Sequence, residues 1–547
     1  MTAELVLGII GILQVCYKCG EELVLTCKAF RHADAYLRDS AVRVEVCWVQ
    51  IEHQLRFLED AAPLLHPQHR DAHEAALESL LGKLRVANSK LSKMRRDPAP
   101  HWVLEKVEAR RFRFATARKR IEEAVGDLER WRGVFDPSWY LIMTVARPEI
   151  DRQLGELARR QTEEKRTDVP VLAARYLRRA RNADGQQGSQ GTVFLQADGL
   201  KMESVRDVPY STARTACRVD NGQVVLLDPV TCVSHPFDSA VLKDIRNFAR
   251  KLQHANPFTF GLLKCKGVLQ HHDEASANPS GPIFSFVFRL PGTHPSVQSM
   301  RGRLLSGKGG ELESLSVRLA LARGAVRAVS YVHMYGFVHK NVRLDNILIL
   351  GTGDHHAEGT YRAEAGADSY QSRPAETAVL VGFDILRDAD GKTYRLGDDN
   401  WERNLYRHPS RQGTTPQVDY EMRHDIYSVG VCLLEIGLWR SFVEGAAAAG
   451  QASALSGLLG YGDAGVSASE PFKSPYDVKH RLVRLARGPL KAAMGSRYAE
   501  VVETCLTCLD ADNADFGDED EFKDEDGVAV GVRYIEKVIG KLGEIVV

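Results

Sequence analysis

The chain has 547 residues, of which 44% are hydrophobic and 26% are charged, as in ordinary globular proteins. Its 72 basic and 72 acidic residues cancel, which gives no preference for nucleic acid or another polyanion. The length allows more than one domain. Ten cysteines are scattered along the chain without a secretory signature, which favours free thiols and a cytoplasmic location.

The N-terminal segment is very apolar, and its apolar residues are Leu5, Val6, Leu7, Ile9, Ile10, Ile12 and Leu13. It lacks the basic leader and the small-residue cleavage site of a signal peptide. It is also shorter than the roughly 20 apolar residues of a transmembrane helix. Two alternatives remain, namely the first core helix of a bundle or a segment that contacts a membrane only when it is released.

Residues 1–160 have the leucine periodicity of helices, which predicts an antiparallel bundle of four or five helices. One predicted helix ends before Pro63 and another ends near Asp136 and Pro137. Two Cys-x-x-Cys pairs, Cys16/Cys19 and Cys505/Cys508, have a spacing used in zinc sites. Small core side chains one helical turn apart explain both pairs more simply, so we predict no metal site.

Residues 161–204 are predicted to form a helical brace and a linker, because residues 182–191 are polar and rich in glycine. After residue 205 the pattern changes. Strands are predicted at Gly222–Leu227 and Pro282–Phe288, and helices at Val241–Leu252 and Leu315–Met334. The predicted fold class is α+β, with the bundle followed by a two-lobed domain whose small lobe covers about 205–292 and whose large lobe covers about 293–547.

The segment from Gly336 to Ile349 resembles the catalytic loop of protein kinases, which has the form H-R-D-L-x-x-x-N. His339, Lys340 and Asn346 fall at the expected spacing. Asn341 replaces the Asp that accepts a proton from the substrate hydroxyl, and an amide has no titratable carboxylate for that role. The resemblance therefore implies a kinase-like fold and argues against kinase chemistry.

Further kinase motifs are degenerate in the same way. Leu380–Arg387 resembles the metal-binding segment of the family, with Phe383 in register, but Gly382 replaces the metal-binding Asp and Asp384 follows. Pro409 stands where the family closes its activation segment. Asp425 matches the Asp that in the family binds the backbone of the catalytic loop.

The predicted small lobe lacks the phosphate-binding parts of a kinase. The strand Val224–Pro229 has no lysine, and the following helix has no glutamate, with Asp244 as its nearest acid. No glycine-rich loop precedes the first strands. Since base, metal ligand and lysine are all changed, and losing one such electrostatic group costs on the order of a hundredfold in rate, we predict a pseudokinase.

An alternative keeps weak activity, with Asp384 or Asp345 taking over the metal role and Asn346 assisting. Asn346 and Asp384 would then hold ATP and magnesium weakly. A single ligand makes no metal site, and Asp384 is more simply a solvated or capping residue. His339 is predicted to be a packed, hydrogen-bonded residue, as its counterpart is in kinases.

Both ends of the bundle resemble fungal HeLo-like domains, which accompany kinase-like domains in some fungal proteins. Glu4–Gly11 is similar to their apolar opening, and Phe135–Leu141 is similar to their closing segment. The resemblance implies a cell-death or heterokaryon-incompatibility effector, laid out like the mixed-lineage kinase domain-like protein. It implies an upstream protein partner, contact with anionic membranes and oligomerisation on activation. No prion-forming tail is evident, since Tyr534–Leu542 predicts a closing helix. The alternatives are an active Ser/Thr kinase and a non-catalytic scaffold.

Overall fold

The computed structural model describes most of the chain. The described residues are 2–29, 35–65, 67–96, 107–144, 148–163, 169–182, 193–230, 239–271, 283–292, 295–306, 312–352, 376–383, 387–388, 397–445, 454–459, 474–517 and 528–547. The described residues up to Arg175 form one compact unit, and those from Tyr176 onward form another. The predicted linker, residues 183–191, lies outside the described residues.

The first unit is helical, as predicted. Its helices are α1 Thr2–Lys28, α2 Ala35–Ala61, α3 Pro67–Arg96, α4 Val107–Leu141 and α5 Pro148–Glu163. A further helix, α6 Val169–Asn182, crosses the division between the units. The helix α2 ends just before the short 3-10 turn that contains Pro63, where the sequence predicts a break.

One face of α1 is packed into the bundle at alternating spacings of three and four residues. The residues on this face are Ile9, Leu13, Cys16, Gly20, Leu23 and Cys27, and all are buried. This spacing is that of a helix with one apolar stripe. Gly20 is needed at its position because an added Cβ would lie 2.1 Å from the ring of Trp48 on α2. The apolar spacing therefore determines which face of α1 is buried, and Gly20 allows α2 to approach that face closely.

The helix α4 continues beyond the predicted end near Pro137, so that predicted boundary is wrong. Pro137 lies inside α4, although proline lacks the N–H for a helical hydrogen bond and commonly kinks a helix. The residues around it compensate by burial, since Phe135, Trp139 and Tyr140 are fully enclosed. Trp139 also packs edge-on against Phe57 of α2 at 5.4 Å between ring centroids. Tertiary packing thus overrides the local break.

The second unit contains strands and helices. Its strands are β1 Phe194–Leu195, β2 Leu200–Asp207, β3 Arg214–Arg218, β4 Val224–Val230, β5 Lys264–His271, β6 Ile283–Arg289, β7 Pro295–Ser299, β8 Phe337–Val338, β9 Ile347–Thr352, β10 Glu376–Leu380, β11 Arg387–Asp388, β12 Val443–Glu444 and β13 Ala454–Leu455. Its helices are α7 Ser239–Leu252, α8 Pro257–Phe260, α9 Met300–Leu305, α10 Leu315–Met334, α11 Trp401–Tyr406, α12 Met422–Leu438, α13 Pro475–Leu485, α14 Lys491–Met494, α15 Ser496–Leu506, α16 Val528–Tyr534 and α17 Lys541–Glu544.

The predicted strands and helices of this unit are confirmed, and with them the predicted α+β class. The helix α10 has the predicted bounds, and β4, β6 and α7 lie within a few residues of theirs. The predicted closing helix corresponds to α16, a π-helical turn at Ile535–Gly540 and α17, which follow one another without a break.

The largest sheet has the strand order β1-β5-β6-β4-β3-β2. All its pairs are antiparallel except β1 with β5. The strands β1 and β2 lie at opposite edges, yet only residues 196–199 connect them. In a flat sheet, five strand spacings of about 4.8 Å would separate the two strands by roughly 24 Å. The five residue steps from Leu195 to Leu200 span at most roughly 18 Å when fully extended. The sheet must therefore curl.

Two helices form the centre of the helical part of this unit. The helix α12 is buried along nearly its whole length, and α10 is buried from Arg318 onward except for a few partly exposed positions. Ser314 caps α10 by accepting a hydrogen bond from the N–H of Val317. Among the described residues, no helix has the length and apolarity to cross a membrane.

Candidate functional site

The predicted catalytic-loop segment connects β8 to β9, and its residues 337–346 are all buried. Gly336 precedes β8 with a φ of 78°, in a conformation that favours glycine. Lys340 also has a positive φ, at 65°, which costs a non-glycine residue energy. Such a backbone requires strong support from its surroundings, and α12 supplies it.

Asp425 of α12 fixes the loop through its carboxylate. Its oxygens accept hydrogen bonds from the N–H groups of His339 at 2.7 Å and Lys340 at 2.9 Å. The hydroxyl of Tyr420 donates to the same carboxylate at 2.6 Å, and Nε2 of His333 lies 3.0 Å from it. Burial alone would raise the pKa of Asp425, but the His333 and His339 rings and the hydroxyl of Tyr420 lower it to about 2. The residue therefore stays ionised and makes the backbone contact that the resemblance implied.

His339 packs into the site as a neutral ring. Its Nε2 lies 3.1 Å from the carbonyl oxygen of Val381, and its Nδ1 faces the N–H of Asn341 at 3.3 Å. Since a carbonyl only accepts and an N–H only donates, the proton belongs on Nε2. Burial lowers the pKa of His339 to about 4. The ring thus orients the backbone on both sides of the site.

Asn341 and Asn346 close the space in front of Gly382. The Nδ2 of Asn341 donates to the carbonyl of Gly382 at 3.2 Å, and the Nδ2 of Asn346 donates to the carbonyl of Asn341 at 2.7 Å. Gly382 has a φ of 84°, and an added Cβ would lie 2.2 Å from the Asn346 amide carbon. No side chain fits at position 382 without moving Asn346.

Asp228, near the end of β4, completes this group, which we call the Asp228 cluster: Asp228, Asn341, Asn346 and Gly382. Its Oδ2 accepts hydrogen bonds from the N–H groups of Gly382 at 2.8 Å and Phe383 at 3.3 Å. The residue is fully buried. Sequence reasoning noted the missing lysine of this strand but missed the role of Asp228. The signal was a charged residue directly after the buried apolar run Val225–Leu227.

The Asp228 cluster does not fit a magnesium nucleotide. A kinase places a lysine and a metal-binding carboxylate around the phosphates, whereas β4 presents the buried acid Asp228 and position 382 carries no carboxylate. The described turn Val208–Ala213 between β2 and β3 contains no glycine, so no flexible backbone there covers phosphates. The hydrogen bonds described above join members of the cluster to one another, whereas Oδ1 of Asn346 is buried without a hydrogen bond to a described residue.

The structure describes only one of the two residues predicted as substitute metal ligands, Asp345 and Asp384. Asp345 is buried and paired with Arg301 at 2.8 Å, and Arg343 lies 3.7 Å from the same oxygen. A carboxylate held by two guanidinium groups is committed to its ion pairs. Asp384 lies outside the described residues, so its metal-binding role stays a prediction.

Phe383 and Pro409 occupy packed positions. Phe383 contacts the rings of Phe248 at 4.7 Å and His339 at 4.9 Å between centroids. It therefore joins α7 to the loop. Pro409 begins a short 3-10 turn that His408 caps by accepting from the N–H of Ser410. Both positions are structural in this arrangement.

The residues predicted to contact a membrane are partly enclosed in the bundle. Ile9 and Leu13 are fully buried, whereas Ile10 and Ile12 are partly exposed. The side chains of Leu5, Val6 and Leu7 lie outside the description. The two Cys-x-x-Cys pairs lie in α1 and at the end of α15, and burial raises the pKa of Cys16 to about 12. The described residues include no group of three or more His, Cys, Asp or Glu arranged to hold a metal ion.

No protein-family model matches the chain, and no curated protein matches it.

Proposed function

We propose that the second unit is a protein-kinase-like regulatory domain without phosphoryl transfer, and that it controls the N-terminal bundle as a membrane-active, cell-death effector. The observation that carries the regulatory-domain part of the proposal is the carboxyl group of Asp228, which lies on the strand expected to carry the kinase lysine. It accepts hydrogen bonds from the backbone N–H groups of Gly382 and Phe383. A buried carboxyl group that accepts two backbone N–H groups offers no cation to the phosphates of a nucleotide.

The pattern of preserved and changed residues supports the same part of the proposal. Asp425 and His339 retain the contacts that shape the loop. Asn341 and Gly382 carry no group that ionises, and their polar groups bond to each other. The scaffold is kept and the chemistry is removed, which is the expected state of a domain selected for binding and conformational change.

The helix α1 supports the second part of the proposal, in which the bundle acts on membranes. This helix buries one apolar face and retains partly exposed apolar residues at Ile10 and Ile12. If α1 left the bundle, its covered face would be free to enter the apolar part of an anionic bilayer. A protein partner that favours one state of the regulatory domain would supply the signal, and oligomerisation would follow release.

Two assays test the proposal. Radiolabelled ATP with magnesium and generic acceptor proteins should show no transfer by the full chain, and transfer that is lost in Asp384→Ala would establish the alternative of an active kinase. Dye-filled vesicles containing anionic lipid should leak with residues 1–182 but little with the full chain, after circular dichroism confirms that the fragment is helical.

A matched pair of variants sharpens the vesicle assay. Ile10→Asn should reduce leakage because it removes a partly exposed apolar residue of α1, whereas Gln14→Asn changes an exposed polar residue on the same helix and should leave leakage unchanged. If the fragment is folded and inert toward the vesicles, the effector half fails and the scaffold alternative is favoured.

A further inference from the structure

The strand β1 has only two residues and pairs in parallel with the edge strand β5. Phe194 lies opposite Val268, and Leu195 lies opposite Leu269. The N–H of Val268 donates to the carbonyl of Val193 at 2.8 Å. Residues 193–195 are the first described residues after the predicted linker. They therefore attach the segment that follows the linker to the outer side of β5.

The strand β5 is shaped to receive this segment. Its pairing with β6 shifts register between Cys265 and Gly267. Gly267 has a φ of 154°, and an added Cβ would lie 2.5 Å from the carbonyl oxygen of Val193 and 2.8 Å from Cγ of Leu195. The irregularity and the missing side chain both occur where residues 193–195 approach. This is the close backbone approach for which a glycine in a strand is used.

Phe194 connects the segment to α7. The guanidinium of Arg246 on α7 lies over the Phe194 ring at 5.3 Å from its centroid, a cation–π arrangement. The same ring lies 6.1 Å from that of Phe284 on β6. Phe194 thus contacts both the helix and the sheet on which that helix packs.

A continuous set of contacts leads from α7 to the Asp228 cluster. Phe248, two residues after Arg246 on the same helix, packs against Phe383 at 4.7 Å. Phe383 packs against His339 at 4.9 Å and donates its N–H to Asp228. A change in the position of α7 therefore reaches the loop through direct packing.

We propose that residues 193–195 are a strap that docks on β5 and transmits the state of the preceding brace to α7 and the Asp228 cluster. A two-residue parallel pair has few hydrogen bonds, so it opens more readily than the antiparallel core of the sheet. Docked, the strap completes the curled sheet and holds α7 through Phe194. Undocked, it frees the edge of β5 and leaves Arg246 without its ring contact. This regulatory role rests on the proposed function.

Hydrogen exchange of the full chain, followed by mass spectrometry, tests the strap. Gly267→Ala should undock it by steric overlap, and Phe194→Ala should weaken it without altering the backbone of β5. Both should speed exchange in peptides covering 264–271 by about tenfold and should also speed exchange in α7. Gly222→Ala is the matched control, since Gly222 has a φ of 68° in the same unit and no atom within 4 Å of an added Cβ.

The outcomes separate the strap from the wider proposal. Wild-type exchange in both Gly267→Ala and Phe194→Ala overturns the strap, and so does faster exchange at 264–271 with none in α7. If Gly267→Ala does not fold, Phe194→Ala alone decides. Vesicle leakage by the full-length Phe194→Ala variant is the second readout. Faster exchange with greater leakage supports both proposals, whereas faster exchange with unchanged leakage supports the strap and counts against the effector function.

Discussion

Asp425 in the second unit and His73 in the first are both completely buried polar side chains, but their surroundings differ. The carboxylate of Asp425 accepts hydrogen bonds from two backbone N–H groups and from Tyr420. Neither ring nitrogen of His73 makes a hydrogen bond with a described residue. Its ring lies 4.7 Å from that of His69 and packs edge-on against Phe135.

This difference shows where each unit is rigid and where it is vulnerable. A satisfied buried network fixes one backbone arrangement, whereas a buried group without partners costs free energy. The loop held by Asp425 is therefore a fixed backbone arrangement in the second unit. The His73 position is a point at which the bundle is open to destabilisation, and the following variants test the contrast.

The largest effect is expected from Asp425→Ala. The change leaves the buried N–H groups of His339 and Lys340 without their acceptor, and removing a partner from such a network costs roughly 3–5 kcal/mol. Thermal or urea unfolding of the full chain measures it. Asp220→Ala removes an exposed acid in the same unit and should stay within about 0.5 kcal/mol of the wild type. Equal stability of the two variants would contradict the role of Asp425.

Gly382→Ala should be the next most costly. It combines a positive φ of 84° with overlap against Asn346, and the expected loss is roughly 2–4 kcal/mol. Gly413→Ala is the matched control, since its φ is 77° and an added Cβ meets no atom within 4 Å. It should lose only the strain, about 1 kcal/mol. Similar losses in both variants would show that Asn346 does not fill the space at Gly382.

His73→Phe should remove a pH dependence of the bundle. Burial, with a contribution from His69, lowers the pKa of folded His73 well below its ordinary value. The unfolded chain therefore takes up a proton below pH of about 6.5 while the folded chain does not, so stability falls as the pH falls. Between pH 6.5 and 5 the loss should be about 1–2 kcal/mol.

The pH dependence is measured by urea unfolding of the full chain at several pH values. His73→Phe keeps an aromatic ring against Phe135 and should make the curve shallower by about that amount. The remaining slope belongs to three other histidines whose pKa values burial also lowers, namely His339, His408 and His424. The exposed His480→Phe should leave the curve unchanged. A curve for His73→Phe as steep as that of the wild type would place the sensitivity elsewhere.

Asn341→Asp should have the smallest effect on stability. It replaces the amide donor with an oxygen facing the carbonyl of Gly382, at a cost of about 1 kcal/mol. It restores the acid expected of a kinase loop, yet Asp228 and Gly382 remain, so no phosphate transfer should appear. Radiolabelled ATP detects any gain, and measurable transfer by this variant would show that the missing base is the principal defect.

Much of the framework follows from local patterns in the sequence. The apolar periodicity predicts α10 with its observed bounds, and the resemblance to kinases implies that Asp425 contacts the loop. Other features depend on packing that no local pattern contains. Pro137 sits inside α4 because buried aromatic residues hold it there, and β1 has too few residues to show a strand period.

The contact between Asp228 and Gly382 also depends on packing that no local sequence pattern contains. It joins a side chain to a backbone amide 154 positions away, and only the folded chain brings β4 to that segment. The sequence predicts the loss of the strand lysine but does not predict what the replacement binds. The closed state of the cluster therefore becomes evident only in three dimensions.

Isothermal titration of the purified full chain with ATP and magnesium tests the central claim most directly. On the proposal that Asp228 stands in place of the phosphate-binding lysine, the account predicts no saturable heat at millimolar nucleotide. Its carboxyl group is buried and accepts hydrogen bonds from the N–H groups of Gly382 and Phe383. Saturable one-to-one binding that Asp228→Ala alters would contradict it, since the nucleotide would then occupy the space that the cluster closes.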